Sequence, residues 1–316
     1  MTTYLISHQK PDLDAVVSTI AYAEYLSTPA SKNLQFGKII SCRCDPINNE
    51  TAFVLSKFQV SPPILVKSDQ IKPEDKIVLL DHNEENQRMR GLKEDQIIAI
   101  IDHHMPKISL AQPITVDLRP WGSTSTIIYD YFEKASIVPT TKTTKLILCA
   151  ILSDTLGLAS TTTITQDRKT VQKISQKLGF SQKDIQNLIF EIFKAKSNIA
   201  NLTPLQIVAN DYKIFNFAKK TFIGQLETVE PEKVLKLKPK LLEAMEKIKQ
   251  KEKVNLVFFA VTDTIKENTQ LIYLSEEEKK VAQKAFGGEG EANVLDIGRR
   301  LSRKKEIAPQ IEKALK

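Results

Sequence analysis

Four short apolar runs, Tyr4–Ile6, Lys38–Cys42, Lys76–Leu80 and Ile97–Ile101, alternate with helical stretches over roughly the first 180 residues. Parallel strands need a crossover of a dozen or more residues, usually a helix, so this alternation predicts βαβ units and a mainly parallel sheet flanked by helices. The intervening helices are expected over 15–26, 49–57 and 84–90, then 123–135, 144–153, 167–178 and 181–201. The chain of 316 residues is long enough for two domains, each burying its own core.

Residues able to do chemistry gather at the ends of these strands. The first run leads into Ser7-His8-Gln9-Lys10-Pro11-Asp12-Leu13-Asp14, the third into Asp81-His82-Asn83 and the fourth into Asp102-His103-His104. All four histidines lie in these three clusters. Ligands of open α/β sheets bind outside the carboxyl ends of the strands, so the clusters are expected to converge. Taken alone, the first loop also reads as a polar turn with Asp12 or Asp14 capping the next helix. Asp154 ends an apolar helix, where an acid opposes the helix dipole and a metal would offset the cost. With no cysteine among the candidates, the donor set is imidazole plus carboxylate, which suits Mn2+, and also Co, Fe, Mg or Zn, better than a Cys-type zinc site. The number of candidate ligands suggests two metals that share carboxylates and a bridging water deprotonated to a nucleophile.

The second half reads as a smaller α+β domain. A hairpin is expected over 212–217 and 220–226, one long helix over 231–251, and strands over 254–262 and 270–274. From Asn187 onward there are 24 Lys+Arg against 18 Asp+Glu, so most of the net +7 sits here, as a partner of nucleic acid, acidic lipid or a small polyanion would require. Ser302-Arg303-Lys304-Lys305 would put cations in the first turn of a helix capped by Ser302, an unfavourable end that a docked anion would relieve. Lys194 stands on a helix near the domain junction. No apolar run approaches membrane-spanning length and no basic-then-apolar leader is seen, so a cytoplasmic protein without membrane association is expected.

Taken in order, His8-x-x-Pro11-Asp12-x-Asp14, Asp81-His82-Asn83-Glu84, Asp102-His103-His104, Gly122-Ser123-Thr124, Ser153-Asp154-Thr155 and Ser302-Arg303-Lys304-Lys305 make the chain resemble a manganese-dependent (family II) inorganic pyrophosphatase of the DHH superfamily. The resemblance implies an N-terminal DHH domain (1–186), a linker region (187–200) and a C-terminal DHHA2 domain (201–316). It implies His8, Asp12, Asp14, Asp81, His103 and Asp154 as metal ligands, with Asp81 and Asp154 reaching both ions. His104 would face the substrate, and Lys194, Arg303 and Lys304 would hold its phosphates. The implied cofactors are two Mn2+ per subunit, with Co2+ as a substitute and Mg2+ accompanying the substrate. The implied reaction is attack of a metal-bridging hydroxide on pyrophosphate, in a homodimer formed through the DHH domain, with no nucleic acid partner. An exopolyphosphatase of the same superfamily would use the same ligands. A DHH oligonucleotide phosphodiesterase would carry a glycine- and histidine-rich C-terminal motif, and Gly287, Gly288 and Gly290 have no histidine near them. Where the family usually has Gly, Asn and Thr, this chain has Ser7, Lys10 and Leu13; Ala159 replaces a frequent lysine and Trp121 before Gly122 is unusual.

Overall fold

The computed structural model describes residues 1–31, 36–199 and 202–316. The chain divides into two units, Met1–Ile192 and Phe193–Lys316.

In the first unit the strands are β1 (Thr2–Ile6), β2 (Lys38–Arg43), β3 (Ile64–Leu65), β4 (Lys76–Leu80), β5 (Ile97–Asp102) and β6 (Thr115–Leu118). They form one sheet in the order β3-β2-β1-β4-β5-β6, parallel throughout. The chain winds outward from β1 to β3 and then returns to β4 beside β1, which places the switch point between β1 and β4. The helices are α1 (Leu13–Leu26), α2 (Asn49–Lys57), α3 (Thr124–Lys134), α4 (Thr141–Asp154), α5 (Thr165–Leu178) and α6 (Gln182–Lys196). Helix α1 packs against α3 and α4 and is buried nearly all round, from Leu13 to Thr19. That explains its run of small and β-branched residues where an amphipathic stripe would otherwise stand. Ile6, Cys42, Ile77, Leu79, Ile97 and Ile100 join the strands in an apolar cluster. Each fully buried Ile or Leu there contributes about 1.5–3 kcal/mol.

Two helical expectations change. The 84–90 stretch is a loop with a single 3-10 turn, Glu85–Gln87. Its carbonyls are used elsewhere, since Gln87 O accepts from Gln9 N and Arg88 O from Gln9 Nε2. The 231–251 stretch is two helices, because Pro239 has no N–H to donate and its ring clashes with the carbonyl four residues back. The expected end of the 181–201 helix at 200–201 lies outside the described residues; α6 stops at Lys196.

The second unit contains β7 (Asp211–Asn216), β8 (Lys220–Thr228), β9 (Leu256–Asp263), β10 (Asn268–Tyr273) and β11 (Val294–Asp296) in the order β11-β10-β9-β8-β7. β8 and β9 are parallel and the other pairs antiparallel. Its helices are α7 (Pro204–Val208), α8 (Pro231–Leu235), α9 (Lys238–Lys251), α10 (Glu276–Phe286) and α11 (Ala308–Ala314). β9 is buried on both faces. Val257, Phe259 and Val261 pack with Leu241, Met245 and Ile248 of α9, while Leu256, Phe258 and Ala260 face Ala282 of α10 and Ile311 of α11. The strand period of two thus distributes one strand between two cores.

Gly224 in β8 marks where the backbones come closest: a Cβ there would lie 2.4 Å from the Val208 carbonyl oxygen and 3.1 Å from the Phe259 ring. Gly224→Ala is expected to destabilise the second unit by about 1–3 kcal/mol through overpacking, read as a lower urea midpoint at unchanged slope.

Candidate active site

The loop after β1 is fixed from both sides. Gln9 is tied to Gln87 and Arg88, and Lys10 N donates to Asp45 Oδ2 (2.8 Å). Lys10 has φ +50°, the left-handed region that asparagine tolerates better than lysine. Asp12 is the N-cap of α1, its Oδ1 accepting from Ala15 N (2.9 Å). His8 donates from Nδ1 to the Gln9 carbonyl (2.7 Å), a partner that keeps a proton on Nδ1 and turns Nε2 toward Asp12 and Asp81.

Asp81 follows β4 with φ +65° and is 1% exposed. A buried aspartate in the left-handed region is held there by its surroundings, a pattern common at functional sites. Its neighbour His82 is fully buried, donates from Nδ1 to Leu80 O (2.9 Å), and is kept neutral by burial, which lowers it to about 4. After β5, Asp102 organises the histidine pair. Its Oδ1 accepts from the backbone N–H of His103 and of His104 and from His104 Nδ1 (2.8 Å), and its Oδ2 from Asn83 Nδ2. Burial pushes Asp102 up, but His104 and Asn83 outweigh it and hold the carboxyl at about 2. The same hydrogen bond to Asp102, opposed by burial, raises His104 to about 9.

The turn from Trp121 to Thr126 supplies the rest. Asp14, at 0% exposure, accepts from Ser123 Oγ (2.8 Å), Thr124 N (2.7 Å) and Ser125 N (3.0 Å). Thr124 Oγ1 donates to Asp81 Oδ1 (2.8 Å), and Trp121 O accepts from His103 Nδ1 (3.0 Å), leaving His103 Nε2 bare. Trp121 has a reason to be here, because the Arg119 guanidinium lies 4.7 Å from its ring centroid. Arg119 also grips Asp117 through Nε (2.8 Å) and Nη2 (2.6 Å) and Asp130 through Nη1 (2.5 Å). Burial pushes Asp117 and Asp130 up, but hydrogen bonds from Arg119, with Tyr131 and Lys134, outweigh it and hold both carboxyls below their usual range. Their stabilisation is therefore complete above the ordinary carboxylate pKa and lost as pH falls through the depressed values. Arg119→Met is expected to weaken the protein at neutral pH and flatten the acid limb of its stability profile, measurable as melting temperature between pH 7 and 3.

These elements bring the histidine and carboxylate groups together as overlapping triads, His8, Asp12 and Asp81 in one, Asp14, His103 and Asp154 in another, and Asp81, His103 and His104 in a third; within each, the ligand atoms lie within 4.8 Å of one another. Asp81 joins them. Its Oδ2 is 3.7 Å from His8 Nε2 and its Oδ1 3.4 Å from His103 Nε2, which is 3.3 Å from Asp154 Oδ2. Asp154 reaches in as the last residue of α4. Asp81 Oδ2 and His103 Nε2 are buried without a hydrogen-bond partner. Such atoms are costly unless a cation takes them up, and hard oxygen donors with imidazole nitrogens fit a divalent ion of the manganese class. The crowding also shifts the acidities of these groups. Burial followed by Asp81 raises Asp14 to about 7, and His8, lowered by burial but raised more by Asp12 and Asp81, reaches about 11. A metal ion entering this cluster displaces protons.

In the second unit, Ser302 caps a π-type turn, Arg303–Ile307, its Oγ accepting from Lys305 N. Gln225 braces the turn by accepting from Arg303 N (3.1 Å) and donating to Leu301 O and Thr262 Oγ1 (2.9 Å each). Arg303 pairs through Nη2 with the exposed Asp211 (2.8 Å), while its Nε and Nη1 are buried with no hydrogen-bond partner. Two unmet donors on a charged guanidinium call for an anion. Lys304 and Lys194 are exposed, Lys194 within α6.

The three strand-end clusters thus converge as the sequence predicts, and Asp12 is both the helix cap and a member of a triad. Asp102, Asn83, the 123–125 hydroxyls and amides, Asp167 and Gln225 were not among the expected site residues. For Asp102 and Asn83 the signal was present in the strand-end clusters, and for Ser123 and Thr124 in the Gly122-Ser123-Thr124 motif; Ser125 meets Asp14, Asp167 meets Thr126 and Gln225 meets Arg303 from 41 to 111 positions away in sequence, and these three had none.

The family model described as the DHH family, N-terminal domain, matches residues 2–151, and that of the DHHA2 domain matches 190–314. The chain is 33% identical over 316 residues to the manganese-dependent inorganic pyrophosphatase of Methanothrix thermoacetophila, covering 99% of this chain and 98% of the relative. It is 34% identical to that of Methanocaldococcus jannaschii, covering 98% of each. Among solved structures, a family II inorganic pyrophosphatase from Methanococcus jannaschii superposes with a TM-score of 0.69 at 32% identity, covering 99% of both chains. An exopolyphosphatase-related protein from Bacteroides fragilis, at 18% identity and a TM-score of 0.50, shares the fold. Domain composition, near-complete coverage and the identity of these relatives show that this chain belongs to the manganese-dependent inorganic pyrophosphatases, with a DHH and a DHHA2 domain.

Proposed function

We propose that the protein hydrolyses inorganic pyrophosphate to two orthophosphates at a pair of Mn2+ ions. The observation that carries the reading is Asp81, whose two oxygens face His8 on one side and His103 on the other. On this reading His8, Asp12, Asp81 and Asp154 hold one ion, and Asp14, Asp81, His103 and Asp154 the other; Co2+ could substitute, and Mg2+ would arrive with the substrate. Ions held there would supply Lewis acidity and, by lowering the pKa of a shared water, a hydroxide nucleophile at neutral pH. The four aspartates balance the charge of two divalent ions, so the polyanionic substrate needs cations from the protein. We assign these to Lys194, Arg303 and Lys304, with the unmet donors of Arg303 as support. His104, anchored to Asp102 through Nδ1, keeps Nε2 for a phosphate oxygen. The proposed domains are DHH over 1–186 and DHHA2 over 201–316 with a linker between, an order the family matches support.

Phosphate release after chelation and readdition of Mn2+, in Mg2+ buffer, tests this with pyrophosphate, long polyphosphate and a dinucleotide side by side. Fast release from pyrophosphate alone is expected. Equal or faster release from polyphosphate would replace the assignment by an exopolyphosphatase, and cleavage of the dinucleotide to mononucleotides, followed by chromatography, by a phosphodiesterase.

A further inference from the structure

We propose that Asp167, at the start of α5, is a positioning residue that sets the metal affinity of the site, an inference that rests on the ligand assignment of the proposed function. Asp167 is 0% exposed. Its Oδ2 accepts from Gly122 N (3.0 Å) and its Oδ1 from Thr126 Oγ1 (2.8 Å), so one carboxylate grips both ends of the Gly122–Thr126 turn. The approach is close enough to require glycine, since a Cβ on residue 122 would sit 2.5 Å from Asp167 Oδ2 and 2.7 Å from Thr155 Cγ2. Between and beside those ends lie the groups that touch three proposed ligands. Trp121 O holds the His103 ring, the 123–125 donors hold Asp14, and the Thr124 hydroxyl holds Asp81. Asp167 touches no proposed ligand itself. It fixes the turn that orients them, and loss of the ligands' direct partners, which that turn supplies, changes metal affinity by about 10–100-fold.

The competing role is local. Asp167 Oδ2 also accepts from Ile164 N (2.8 Å), so it closes the first turn of α5, and a cap alone would affect stability and not metal binding. Asp184 serves as a control, because it closes the first turn of α6 through Ser181 N (2.8 Å). The experiment is titration of metal-free wild type, Asp167→Ala, Asp167→Asn, Thr126→Val and Asp184→Ala with Mn2+, following free Mn2+ by EPR, with melting temperatures measured alongside. The inference expects about 10–100-fold weaker Mn2+ binding in Asp167→Ala. A smaller loss in the same direction is expected in Thr126→Val, and substantial recovery in Asp167→Asn, whose amide oxygen can still accept from Gly122 N. Asp184→Ala should melt earlier at unchanged affinity. Equal affinity in Asp167→Ala and wild type, with only a lower melting temperature, would reduce Asp167 to a helix cap. If Asp167→Ala does not fold, unchanged affinity in Thr126→Val overturns the inference. Failure of wild type itself to bind Mn2+ would instead overturn the metal-site reading.

Discussion

Asp81→Asn is expected to lower pyrophosphate hydrolysis by about 10^3-fold or more while the protein stays folded, since a catalytic metal supplies several kcal/mol and each 1.36 kcal/mol is tenfold in rate. The substitution separates chemistry from structure. Asparagine has nearly the same volume and tolerates the left-handed backbone that residue 81 adopts at φ +65°. Its carbonyl oxygen can still accept from Thr124 Oγ1. What disappears is the negative charge that faces both His8 and His103. Hydrolysis assays with matched melting curves check this; near-normal activity in a folded Asp81→Asn protein would remove Asp81 from its proposed bridging position.

The second large effect concerns the cation turn. Arg303→Lys is expected to lower kcat/KM by about 10^2–10^3-fold, the scale for removing a donor from developing phosphoryl charge. Lysine keeps the charge but not the planar guanidinium, so the two separate donors at Nε and Nη1, fixed in direction by that plane, cannot be rebuilt. The turn itself should survive, because Gln225 grips the backbone N–H of residue 303 and not its side chain. Steady-state kinetics of the folded variant read the effect. Wild-type kinetics would mean that the buried guanidinium serves only the Asp211 pair.

How far the sequence could be read depended on the range of the interaction. The parallel sheet and its catalytic edge were legible because strand period, crossover length and the position of the histidines are local, and strand-end clusters converge by topology alone. The β6 strand, Thr115–Leu118, was missed because it is short, half exposed and interrupted by Asp117, so nothing local distinguishes it from a loop. The 84–90 stretch has helix-compatible residues, but Gln9, far away in sequence, takes its carbonyls. At 231–251 the apolar stripe continues through Pro239, so periodicity masked the break. Within the site, the ligand types announced themselves by chemistry. The groups behind them that carry no such signal, Ser125 and Asp167, are ordinary polar residues whose contacts appear only when the fold brings α1 and α5 to the turn before α3.

Substituting Lys10, Leu13 and Trp121 for the residues usual in the family leaves the candidate ligands in place. Leu13 is accommodated by complete burial in the first turn of α1 and Trp121 by the Arg119 guanidinium against its ring, whereas the Asp45 hydrogen bond at Lys10 is to the backbone N–H and does not select the side chain. Nothing in the structure explains Ala159.

The proposed pairing of two ions through Asp81 and Asp154 is tested most directly by EPR of the metal-free protein titrated with Mn2+. The account predicts saturation at two ions per chain and an exchange-coupled spectrum once both are bound. Saturation at one ion, or two ions giving only the spectrum of isolated Mn2+, would contradict it.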